Sequence, residues 1–185
     1  LTLILKKGSG RQKSEFSSDM TNSAFRMVAE VLRKYKDVKV PKEFRTALVS
    51  YASPRILSHT SDTAPYIFVR ALIGSISTDK QKGTLYRELF ALLTKYPGLI
   101  TQTHNSAIKS LLIGTLGEAL VRMPLSDTDR QKFMQTLLVA ATSPDVSPQG
   151  CLASLFALHD LMPHLPDRYR RLEIINECIG YLVLI

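Results

Sequence analysis

Four histidines, two cysteines and a spaced set of arginines are the residues through which this chain could do chemistry. His59, His104, His159 and His164 are scattered along it, and the last two lie five apart with Pro163 between them. That spacing does not put two ligands on one helix face, as the four-residue spacing of a zinc-binding helix does. The histidines read as cap and turn residues near helix ends. Cys151 and Cys178 sit within apolar patterns and are expected to be buried thiols in a reducing compartment, cytosol or nucleus. Gly8-Ser9-Gly10-Arg11 resembles a phosphate-wrapping loop, but no strand pattern precedes it, and a flexible linker is the simpler reading. No Walker loop, G-x-G-x-x-G or G-x-S-x-G is present. No nucleophile, base and orienting group converge. The expectation is therefore a protein that is not an enzyme and holds no cofactor or metal.

The cations have a stronger pattern. The chain of 185 residues carries a net charge of +8, and residues 1–57 hold 12 Lys/Arg against 5 Asp/Glu, a net of +7. Arg33, Lys34, Lys36, Lys39, Lys42 and Arg45 bracket one turn. A second series, Arg45, Arg87, Arg130 and Arg171, recurs at intervals of 42, 43 and 41 residues, each in the phrase R-x-x-apolar. One reading makes each arginine repeat glue, pairing with carboxylates or helix C-terminal carbonyls. The other makes the row a clamp for an acidic peptide or a phosphate backbone. Tyr35 and Phe44, the aromatics nearest the basic cluster, fit core stripes, so no stacking platform for nucleic-acid bases interleaves the charges.

The elements that must position these residues are helices. Helix-start signals fall near Thr21, Asp62, His104 and Asp145, at intervals of 41, 42 and 41 residues. A second series falls near Pro41, Asp79, Ser126 and Pro166. Apolar stripes at helical spacing follow each signal. In the first pair they are Phe25, Val28, Ala29 and Leu32, extended by Tyr35, and then Phe44, Ala47, Leu48 and Tyr51. The second pair has Ile67, Phe68, Ala71 and Leu72, then Leu85, Leu89, Leu92, Leu93 and Tyr96. The third has Ile108, Leu111, Leu112, Leu116, Ala119 and Leu120, then Phe133, Leu137, Leu138 and Ala141. The fourth has Leu152, Leu155, Phe156 and Leu161, then Tyr169, Leu172, Ile175, Ile179 and Leu182. Ser17, Ser18 and Asp19 offer the first N-cap, and Ser126 with Asp129 resembles a capping box. Ser53-Pro54 and Pro97-Gly98 are expected to end helices, because a residue before proline is pushed out of the α region. Gly114 and Gly117 stand inside a helical pattern, where glycine costs about 1 kcal/mol against alanine, and imply a close approach of another helix. No long alternating strand pattern appears.

The expected fold class is all-α, an α-solenoid of about four antiparallel helix pairs. Residues 1–18 read as a mobile basic linker and 19–185 as the helical-repeat domain, with pairs at about 19–57, 58–98, 99–143 and 144–185. The opening Leu1 and the apolar closing run Cys178–Ile185 read as cuts within a longer intracellular chain. Neither end suits a membrane or signal segment: the closing run is eight residues, against the roughly 20 a span requires.

This period and punctuation resemble the HEAT/armadillo class of helical-repeat proteins. Asp62-Thr63-Ala64-Pro65 and Asp145-Val146-Ser147-Pro148 share D-x-x-P at two periods' distance. Asp37 stands eight before Arg45 and Asp79 eight before Arg87, as in the turn-Asp and second-helix-basic pattern of HEAT repeats; the third and fourth repeats lack the match. The choice between HEAT, armadillo and an irregular helical stack stays open. The resemblance implies a scaffold or adaptor whose second helices line a concave protein-binding face. Lys39, Lys42, Arg45 and Arg87 are the candidate partner-binding residues, and an acidic protein segment or neighbouring solenoid repeats are the partners. The rival reading is a nucleic-acid-associated repeat module that uses the basic N-terminal end.

Overall fold

The structure, a computed structural model, describes residues 15–35, 41–75, 84–142, 146 and 148–161. Among them it is all-helical, with no strand. The helices are α1 (Glu15–Lys34), α2 (Lys42–Leu57), α3 (Ala64–Gly74), α4 (Thr84–Leu93), α5 (Tyr96–Gln102), α6 (Ser106–Arg122), α7 (Asp127–Thr142) and α8 (Pro148–Leu161). The expected helix from Pro166 to Leu182, the closing run and residues 1–14 lie outside the described residues.

Caps set most of the boundaries. The Asp62 carboxylate accepts from the Ala64 N–H at 2.8 Å ahead of α3, whose first turn holds Pro65, where a missing N–H costs nothing. Asn105 caps α6 by accepting from the N–H groups of Ala107 and Ile108 at 3.1 and 3.2 Å. Ser126 caps α7, its hydroxyl oxygen accepting from the Asp129 N–H at 3.1 Å. Asp129 does not reach back to the backbone as a longer glutamate would; it accepts from the Ser126 hydroxyl instead.

Several boundaries differ from the sequence expectation. The first helix begins at Glu15, so Ser17, Ser18 and Asp19 lie inside its first turns rather than capping it. Pro54 does not stop α2, which runs on to Leu57. Proline removes one helical hydrogen bond, but the following turn is held by fully buried Ile56 and by the Ser58 N–H closing on the Pro54 carbonyl at 2.9 Å. Pro97-Gly98 does not end a helix either. The fourth helix ends at Leu93, and Pro97 sits in the first turn of α5, anchored by the fully buried Tyr96.

The two most extensive contacts, α6 with α8 and α1 with α3, join helices that are not consecutive, and the consecutive pair α7 and α8 comes next. α1 packs on α3, α3 on α6 and α6 on α8, while α2 packs on α4. Cross-links between these sets are α2 with α3, α6 with α7, and α7 with α8, and α5 lies against α6. One apolar core runs through the contacts, from Phe25, stacked on Phe68 at 5.3 Å, through Leu72, Leu112 and Leu116 to Phe133 and Leu158. The predicted stripes of α1, α3, α4, α6 and α7 supply most of it.

Two stripe assignments are corrected. Tyr35 follows the last residue of α1 and is exposed, because the helix ends before it can continue the face of Leu32. Leu152 and Phe156 of α8 are exposed as well. Gly150, Ser154 and Leu158 are buried among the described side chains of that helix, and Ala157 lies against Gly117 of α6, where an added Cβ would come within 2.4 Å of the alanine Cβ. That approach turns Leu152 and Phe156 outward. It is also the close helix contact that glycine inside α6 implied.

Candidate partner-binding face

The helices α2, α4 and α7 each carry an arginine as their fourth residue: Arg45, Arg87 and Arg130. Equal placement in three helices gives the arginine series a structural register, yet the three side chains have different surroundings. Arg45 is half-buried, and its Nε is shielded from water without a hydrogen-bond partner among the described residues. Arg87 is exposed. Arg130 Nη1 donates to the Leu120 carbonyl in the last turn of α6 at 3.4 Å, a long bond of the glue type. Arg171 lies outside the described residues, as does Lys39. Lys42 opens α2, with its side chain outside the described set. Of the four residues proposed to meet a partner, the structure therefore shows Arg87 open to solvent and Arg45 partly withdrawn from it, and it does not place the other two side chains.

The start of α4 is tied to the loop between α6 and α7, where the Tyr86 hydroxyl donates to the Pro124 carbonyl at 2.9 Å. Burial pushes the Tyr86 hydroxyl above its usual pKa, and the negative charge of Asp129 adds to the shift. Tyr86 also stacks on Phe90 within α4, ring planes 3° apart. Arg87 thus projects from a helix in which the neighbouring Tyr86 is fixed against the loop that precedes α7.

On α1 the cations are largely engaged within the chain. Arg33 and Lys34 pair with Glu30 at 3.7 and 3.4 Å, all three exposed, so these ion pairs add little stability. Arg26 lies 3.5 Å from Asp62 and also donates to Thr63. Asp62 accepts from the Asn22 side-chain amide, and Arg55 near the end of α2 donates to the Asn22 side-chain oxygen Oδ1 at 2.5 Å. Asn22, Arg26, Arg55 and Asp62 so tie α1, the end of α2 and the start of α3 together. Sequence reasoning identified Asp62 as a cap but missed the cluster. Asn22 and Asp62 are 40 residues apart, close to one period, and that spacing was the only signal available.

His59 follows Ser58, the C-cap of α2, in the left-handed backbone region at φ 54°, exposed; His104 precedes the Asn105 cap, and His159 lies in the last turn of α8. The Cys151 thiol is free and half-buried. Among the described residues no group of three or more His, Cys, Asp or Glu side chains is placed to hold a metal ion, and no helix is long and apolar enough to cross a membrane. No protein-family model, curated protein or solved structure matches the chain.

Proposed function

We propose that the chain is a non-enzymatic, protein-binding scaffold segment built as an α-solenoid of helix pairs, with the face of its second helices taking an acidic protein segment. The observation that carries this reading is the two-set packing, α1 to α3 to α6 to α8 alongside α2 to α4, with an arginine at the same position of α2, α4 and α7. Stacked pairs bury faces that no single pair can bury alone and leave a long surface suited to large partners. Lys39, Lys42 and Arg87 would meet the acidic segment. Arg45, being half-buried, would contribute its exposed edge and hold the face in place. Charges of this kind act more on association rate and specificity than on raw affinity.

The test uses two probes, an acidic peptide of Glu and Leu residues and a DNA duplex, each titrated by fluorescence anisotropy at about 50 and 200 mM salt. The expected result is saturable peptide binding that falls at least about tenfold in the Lys39→Glu, Lys42→Glu, Arg87→Glu variant, with helicity by circular dichroism unchanged. Arg45 is left intact to spare the fold. Peptide binding insensitive to these substitutions overturns the assignment. So does preference for the duplex with the steep salt dependence of counterion release, which would favour the nucleic-acid reading.

A further inference from the structure

We draw no further inference here: the strongest candidate, the apolar face of α8 on which Leu152 and Phe156 stand exposed, carries nothing because no contact among the described residues shows what covers it.

Discussion

Three helical glycines meet three different surroundings, and the difference sets the sign of the same substitution. A Cβ on Gly98 meets nothing within 4 Å, so Gly98→Ala should gain up to about 1 kcal/mol from helix propensity alone. A Cβ on Gly114 meets the Arg70 guanidinium at 2.8 Å, the mobile end of a long side chain that can swing aside, so Gly114→Ala should be close to neutral or mildly stabilising. A Cβ on Gly117 comes within 2.4 Å of the Ala157 Cβ and 3.3 Å of its Cα, and a backbone cannot step aside without moving α8. Overpacking of this kind costs about 1–3 kcal/mol and outweighs the propensity gain, so Gly117→Ala should destabilise by on the order of 1 kcal/mol. Urea unfolding of the three variants should rank them Gly98, Gly114, Gly117 in falling stability. That a glycine within an apolar stripe marks a close approach was legible in the sequence. Which glycine meets a side-chain tip and which a backbone was not, because it depends on how α3 and α8 are set against α6.

At the scale of elements, two caps of similar sequence appearance should differ in weight. Ser126 serves α7 alone, and Ser126→Ala should cost about 1 kcal/mol, the usual value for a lost N-cap. Asp62 caps α3 and also takes the Asn22 amide and the Arg26 guanidinium from α1. Removing it strands a part-buried amide as well as a helix end, so Asp62→Ala should cost about 2 kcal/mol or more. Urea midpoints compare the two, and equal losses would mean that the Asn22–Asp62 link contributes nothing. The helices themselves were readable from period and caps. The errors fell where local and tertiary terms compete. Pro54 and Pro97 are strong local stop signals, yet burial of Ile56 and Tyr96 holds helical turns beyond or around them. Leu152 and Phe156 have the right spacing for a core stripe, yet the Gly117–Ala157 approach gives the inward face of α8 to smaller side chains.

For the whole molecule, the buried tyrosines make stability depend on alkaline pH. Tyr96 is fully buried, and its hydroxyl has no hydrogen-bond partner among the described residues. Burial pushes its pKa far above the ordinary value, with Tyr66 adding to the rise. Burial also raises Tyr66, whose hydroxyl donates to the Thr60 carbonyl at 3.4 Å. The unfolded chain releases these protons near pH ~10 while the folded chain keeps them. Stability from this source is complete below about pH 10 and is lost progressively as the pH climbs above it. Tyr96→Phe should flatten that alkaline loss in urea titrations run at about pH 7 to 11. At pH ~7 it should be as stable as the wild type or more so, because no hydrogen bond is given up.

The sequence by itself determined that the chain is helical, where most helices begin, which side chains form most of the core, and that the charge lies towards one end. Those properties follow from periodicity, caps and composition, which are local and additive along the chain. Only the tertiary structure decided that α1 packs on α3 and α3 on α6, that Asn22, Arg55 and Asp62 form one cluster, that Arg45 is half-buried while Arg87 is open, and that α8 turns Leu152 and Phe156 to solvent. Each of these depends on the rotation and separation of helices about 40 residues apart in the chain. A stripe of leucines specifies that a face is buried, but its spacing carries no information about which neighbour buries it.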